Sequence, residues 1–314
     1  MSASNKILQA AAGNAAGEAV YVEDVFSTYL YEGTSAAGNT VNNGIDLDGE
    51  GGMVWLKSRG DAQSHGIFDT ERGTGKLLRS DDSGGELSYT DLTAFNSNGF
   101  TLGYYSGWFN NSSYDQCSWT FRKQAGFFDI VTYTGDNSSN RQISHNLGCV
   151  PAMILIKRTD FGDDWIVYHV GNDSTAPEDY HIKLNDTAAR TNSASHFNDT
   201  APTSTDFTIG GAGAVNQGAK SFVAYLFAGT GDSDSQIFGD DSDESIIKCG
   251  TTDGSKVTLG WEPQWVLHKS SNFASDWSIL DVMRGMPFGQ QAQELEPHTS
   301  DAEASSRDDV NSQN

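Results

Sequence analysis

The sequence predicts an all-β fold of tandem, antiparallel sandwich-like units, and three observations carry that expectation. Its apolar runs are short and rich in Val, Ile, Tyr, Phe and Trp. Met153-Ile154-Leu155-Ile156 and Trp165-Ile166-Val167-Tyr168, with Gly162, Asp163 and Asp164 between them, read as a buried hairpin. Turn formers are abundant, with 34 glycines in 314 residues and many Asn, Ser, Thr and Asp besides. The hairpin also recurs, which makes the chain a repeat.

Lys57 closes GMVWLK, Lys157 closes AMILIK and Lys269 closes QWVLHK, at offsets of 100 and 112 residues. A polar loop and a second apolar run follow each, His65-Gly66-Ile67-Phe68 in copy one and Trp277-Ser278-Ile279-Leu280 in copy three. Asp69-Thr70-Glu71-Arg72-Gly73 returns 212 residues on as Asp281-Val282-Met283-Arg284-Gly285. GFTLG at 99–103 matches DFTIG at 206–210, and Ser118-Trp119-Thr120-Phe121 matches Ala224-Tyr225-Leu226-Phe227. FSTYLYEG at 26–33 matches FDIVTYTG at 128–135. A period near 100 exceeds the roughly 20 to 50 residues of solenoid units, so tandem domains with separate cores are expected.

Taken in order, residues 1–22 stand outside the repeats. A short helical arm through Ile7 and Leu8, stopped by Gly13, is expected there, either packed on a neighbouring chain or disordered. Copy one spans 23–126 and copy two 127–231. The acidic run DSDSQIFGDDSDE at 232–244 reads as a linker. Copy three, 245–289, supplies the hairpin but nothing that resembles the FTIG or FVAYLF blocks. Residues 290–314 are polar and read as a mobile tail or a truncated segment. Missing strands leave edges that folded proteins cover, so a neighbouring chain or a continuation of the protein is expected at that end.

Lys and Arg number 19 against 42 Asp and Glu, which disfavours nucleic acid and anionic membrane surfaces as partners. Self-repulsion between acidic groups favours solubility. Cys117, Cys149 and Cys249 are scattered and suggest neither a disulfide framework nor a zinc site. The N-terminal stretch lacks the pattern of a secretory signal, and no apolar run approaches the length of a membrane span.

Chemistry-bearing motifs are weak. Arg72-Gly73-Thr74-Gly75-Lys76 resembles a phosphate loop, but Thr70 and Leu77 occupy positions that need Gly and Ser or Thr. Asp46, Asp48, Glu50 and Gly51 start like a calcium loop whose twelfth position is Lys57 instead of Glu, so a solvated turn is expected. His65 and His169 have partners of other chemistry in the repeat, which favours structural roles. Neither a catalytic triad order nor a cofactor motif emerges, so no cofactor or metal is expected, while carboxylate pairs are so numerous in this acidic chain that a glycosidase pair is neither picked out nor excluded. Tyr104, Tyr105, Trp108, Phe109 and Tyr114 cluster in a Gly/Asn/Ser-rich stretch whose copy-two counterpart, 211–218, has no aromatic. Residues that do not recur between copies are candidates for surface contact.

Taken together, GGMVWLKSRG, HGIFDTERG, SNGFTLG, FDIVTYTG, PAMILIKR, DWIVYH and FVAYLF resemble repeat domains of uncharacterised function in virion structural proteins of marine tailed phages, cyanophages included. The opening MSASNKILQAAAG, followed by YVEDVFSTYLY, is similar to the start of those proteins. The resemblance covers roughly residues 1–289 and implies a non-enzymatic virion component: a tail fibre, fibre adaptor or appendage that serves host attachment. It further implies docking to other virion proteins through the arm and assembly with copies of itself, a trimer among the options. A polysaccharide-binding or polysaccharide-cleaving receptor protein and a head decoration or head fibre protein are the alternatives.

Overall fold

A computed structural model describes residues 19–104, 108–231, 233–252, 257, 259–286 and 292–305. Copy one contributes β1 (Phe26–Glu32), β2 (Asn39–Asn42), β3 (Gly52–Ser58), β4 (Gly66–Asp69), β5 (Lys76–Leu77), β6 (Leu87–Ser88), β7 (Leu92–Asn96), β8 (Gly99–Leu102) and β9 (Asp115–Arg122). Copy two contributes β10 (Phe128–Thr134), β11 (Arg141–Ser144), β12 (Met153–Arg158), β13 (Ile166–His169), β14 (Tyr180–Lys183), β15 (Thr191–Asn192), β16 (Asp206–Ile209) and β17 (Ser221–Phe227). Copy three contributes β18 (Trp265–Lys269), β19 (Trp277–Asp281), β20 (Gln293–Glu294) and β21 (Ala304–Ser305). The chain is all-β: its sheets are antiparallel, and among the described residues helix is confined to single turns such as Val22–Val25.

Strand order repeats with the sequence. The first sheet of copy one runs β1-β9-β3-β4, and copy two starts its own β10-β17-β12-β13. A second sheet, β2-β8-β7 or β11-β16, covers one face of each and makes the sandwich. Hairpin register is kept in all three copies, with Met53 opposite Asp69, Met153 opposite His169 and Trp265 opposite Asp281. Gly33 and Gly135, which close the matching blocks, recur for a steric reason. A Cβ there would lie 2.3 Å from the Asn111 carbonyl oxygen or 2.1 Å from that of Gln217.

Alternation along β3 and β12 explains their unbroken apolar runs, because both sheet faces are buried. Val54 and Leu56 face the private core of copy one with Val41, Phe100 and Leu102, and Ile154 and Ile156 face that of copy two with Ile143, Phe207 and Ile209. Residues one step out of phase meet in a common core. Met53, Trp55, Trp119 and Phe121 join Met153, Leu155, Trp165 and Tyr225, and copy three adds Trp277, Ile279 and Leu295. The expected separate cores are therefore half of the arrangement: each copy turns its second face onto a core shared by all three.

Directional contacts close the copies into a ring. Leu78, Ile182 and Leu295 each pair with the second strand of their own hairpin, opposite Ile67, Val167 and Ile279. Five residues further on, Ser83, Thr187 and Ser300 offer backbone carbonyls to the lysine of the next copy. Lys157 Nζ donates to Ser83 O at 2.8 Å, Lys269 Nζ to Thr187 O at 2.9 Å and Lys57 Nζ to Ser300 O at 3.3 Å. One residue past the paired position, Arg79 O accepts from Trp165 Nε1 and Lys183 O from Trp277 Nε1, both at 2.8 Å. A pseudo-threefold arrangement results, in which each hairpin reaches onto the preceding copy and copy one reaches onto copy three.

Two expected segments behave differently from their composition. The acidic run 232–244 is no free linker, because Phe238 within it is fully buried in the shared core and bridges to Glu244. Its Ile237-Phe238 pair supplies the apolar anchor that the surrounding carboxylates conceal. Residues 292–305 are no mobile tail: Leu295 is buried, Ser80 Oγ donates to Pro297 O at 2.6 Å and Arg59 pairs with Glu303 at 2.7 Å.

Burial holds the Lys57 and Lys157 ammonium groups down to a pKa of about 8. Lys157→Met removes the ammonium donor from the carbonyls of Ser83, which keeps the Asp163 N–H, and of Asp163, and is expected to cost about 1–3 kcal/mol in urea unfolding at pH 7. Between pH 8 and 10 the unfolded chain retains protons that folded Lys157 releases, so stability rises with pH there. The rise, about 1.4 kcal/mol per pH unit per lysine at most, should shrink in Lys157→Met when both proteins are unfolded across that range.

Candidate functional site

The stretch after β8 sorts its aromatic residues by depth. Tyr104 is 67 % exposed. Trp108 is half-buried, its ring 5.6 Å from that of the exposed Tyr89 and 6.0 Å from Phe109. Phe109 is not a surface residue as expected: it is 1 % exposed, edge-on to Phe68 at 6.2 Å, and packed where Gly66 leaves room. A Cβ on Gly66 would lie 2.3 Å from Phe109 Cζ. Tyr114 is half-buried against Gly60 in a shallow polar depression lined also by Arg59, Asp115 and Glu303. Tyr105 lies outside the described residues, as do Ile7 and Leu8. The structure thus brings Tyr89 and Trp108 together, leaves Tyr104 exposed and moves Phe109 inside.

Among the exposed aromatics that sequence reasoning missed, Tyr89, Phe161, Trp261 and Phe273, two are equivalent. Phe161 and Phe273, 67 % and 65 % exposed, hold the same position in the β12–β13 and β18–β19 loops, where copy one has Asp61. Arg158 lies over the Phe161 ring at 5.2 Å. Their offset of 112 residues equals that of Lys157 and Lys269, a signal that was available in the alignment of copies.

The polar groups with the strongest environments serve the ring. Asp69 Oδ2 accepts from Tyr225 Oη at 2.7 Å and from Arg72 Nε at 2.6 Å, joining copies one and two. Asp281 Oδ2 repeats this with Trp119 Nε1 at 3.0 Å and Arg284 Nε at 2.6 Å, joining copies three and one. Arg284 also lies over the Trp119 ring at 5.3 Å. Burial opposes the charge on Arg72, and Tyr225 and Asp69 beside it more than compensate, so the guanidinium stays charged. The glycine-rich turn at Arg72 is therefore a structural corner, and Asp46 Oδ1 accepts from Gly49 N at 2.8 Å in the acidic turn.

Asp276, Glu296 and His298 place ligand-type atoms within 4.8 Å of one another. His298 Nδ1 accepts from Trp277 N at 3.4 Å, which puts the imidazole proton on Nε2, 3.1 Å from Asp276 Oδ1. No lone pair is then left on Nε2 for an ion. Equivalent residues make the same backbone contact elsewhere, Asp81 to His65 N and Asn185 to Trp165 N, so His298 is the third member of a structural set. Burial, followed by Asp276, Glu294 and Asp301, raises Glu296 to a pKa of about 7.

Removing Phe109 and removing Tyr104 should differ sharply. Phe109→Ala is expected to cost about 3–5 kcal/mol, and Tyr104→Ala to stay within about 0.5 kcal/mol of the parent, both read by denaturant titration.

A search of curated proteins and a search of solved structures each returned no match. One family model covers residues 22–313, described as a domain of unknown function, DUF7483. The match takes in both complete copies, the reduced third copy and the segment that seals it to the first, so the chain belongs to the DUF7483 family.

Proposed function

We propose that this chain is a non-enzymatic structural component of a bacteriophage virion, in a tail fibre, fibre adaptor or related appendage that serves host attachment. The observation that carries the reading is the use made of buried and half-buried ionisable groups. Lys57, Lys157, Lys269, Asp69–Arg72 and Asp281–Arg284 are committed to joining copies. They support a self-sealed building block better than a reacting site, and the resemblance of the repeat blocks to phage virion proteins points the same way. Other virion proteins are the partners, reached through the N-terminal arm. Self-assembly, where it occurs, uses surfaces outside the seams, which are filled within one chain.

The exposed Tyr104 and the Tyr89–Trp108 pair favour one second reading, contact with a host-surface glycan, because flat amphipathic rings stack on sugar faces. Immunogold labelling of purified particles is expected to mark the tail or its appendages. Particles that carry no label remove the virion reading, and label on the head moves the chain to a head fibre or decoration. Adsorption that survives Tyr104→Ala with Trp108→Ala removes the glycan reading.

A further inference from the structure

The three seams of the ring are built alike except in one place. Trp165 and Trp277 each complete a 2.8 Å bond to a carbonyl of the preceding copy. At the seam between copies three and one that position is His65, fully buried. Its Nδ1 accepts from Trp55 Nε1 at 3.0 Å, which places the ring proton on Nε2. Nε2 faces the Glu296 backbone without attaining hydrogen-bond geometry. This seam also joins the first repeat to the last, so no direct chain connection holds it. Its lysine contact, 3.3 Å, is the longest of the three.

We propose that the seam between copies three and one is an acid-sensitive latch, in which protonation of His65 releases the β18–β19 hairpin and residues 292–305 from copy one while copies one and two stay joined. A proton on Nδ1 would face the indole N–H of Trp55, two donors against each other in a buried site. From β3, Lys57 adds a positive charge, and from the turn after β19, Arg284 adds another, although Asp281 and Glu303 pair with it. Asp81 on copy one accepts the His65 backbone N–H and Asp81 itself is held protonated to higher pH than usual by burial. From residues 292–305, Glu296 and His298 face the ring.

Burial, with Lys57 and Arg284, holds closed-seam His65 well below the ordinary imidazole range. The open seam therefore binds a proton below about pH 6.5 that the closed seam refuses, and the opening constant rises about tenfold per pH unit. Glu296 works against this, because its raised pKa lets the closed seam take up a proton first. The carboxylates that raise it, Asp276, Glu294 and Asp301, belong to copy three and move with it. Burial, the largest cause of the rise, is lost on opening while the three carboxylates stay, so Glu296 offsets part of the slope that His65 supplies.

Hydrogen exchange between pH 7.5 and 5.0, corrected for intrinsic rates, reads the latch in the full chain. Segments 265–281 and 292–305 are expected to gain up to about tenfold in opening per pH unit below 6.5, while 153–169 keeps its protection. His65→Gln, which keeps a donor and an acceptor but cannot charge, should flatten the response. Joint loss of protection in all three segments, or an unchanged slope in His65→Gln, overturns the proposal. Should the variant fail to fold, the wild-type His65 imidazole is followed by NMR. Its titration must coincide with the opening of 292–305, and titration inside a seam that stays protected overturns the latch.

Discussion

Two buried lysines, Lys57 and Lys157, and the half-buried Lys269 hold this fold together in a way that hydrophobic contact alone could not. Apolar surfaces are indifferent to the angle at which they meet, whereas an ammonium group taken out of water needs its donors directed at acceptors. Lys157 finds them in Ser83 O and Asp163 O, one on each side of a seam, and Lys57 and Lys269 repeat the construction. Because the lysine is the last or next-to-last residue of the first strand of each hairpin, fixing it fixes the hairpin against its neighbour. The orientation of the three sheets around the common core follows, and with it the placement of Met53, Trp55, Leu155 and Trp165 in that core.

Symmetry is broken where the third copy is reduced. Asp69 with Arg72 and Asp281 with Arg284 stand where Tyr225 and Trp119 arrive from a neighbouring copy. In copy two the equivalents are His169 and Asn172, and the arriving strand would have to come from copy three, where among the described residues β18 pairs with β19 alone. Burial depresses His169 to a pKa of about 4, so it stays neutral where a carboxylate with no donor would be costly. Each of these pairs is thus matched to what its neighbour provides. The same open side explains why all five residues of β18 are half-buried while β3 and β12 are buried throughout.

The hairpins and their register were legible because strand alternation and repeat offset are properties of side chains in sequence. Closure was not. Its acceptors are the backbone carbonyls of Ser83, Thr187 and Ser300, and a carbonyl leaves no mark on residue type. Lys57 lies 243 residues from the carbonyl it caps, with all of copy two between them, so no local pattern records the contact. The acidic run at 232–244 hid Phe238 for a related reason, since composition averages over a window and one anchored ring decides the outcome. Phe109 misled in the opposite direction. It fails to recur because the room it fills depends on Gly66, and copies two and three carry Ile166 and Ser278 at that position.

A chain that folds three unequal copies into one ring gains something that a trimer of identical copies lacks, because each position around the axis can change alone. The loop tips show this most directly. Phe161 and Phe273 are presented at equivalent places and Asp61 at the third, so one end of the ring offers two aromatic contacts and one charge. None of the three is needed for closure, which lies deeper at the lysines and at the Trp or His positions. Selection on contact could therefore act on the tips without moving the seams. The seam residues face the opposite constraint: Trp165 and Trp277 bond to the preceding copy and His65 faces the Glu296 backbone of copy three, so a change at one, such as His65 for Trp, alters a joint rather than a surface.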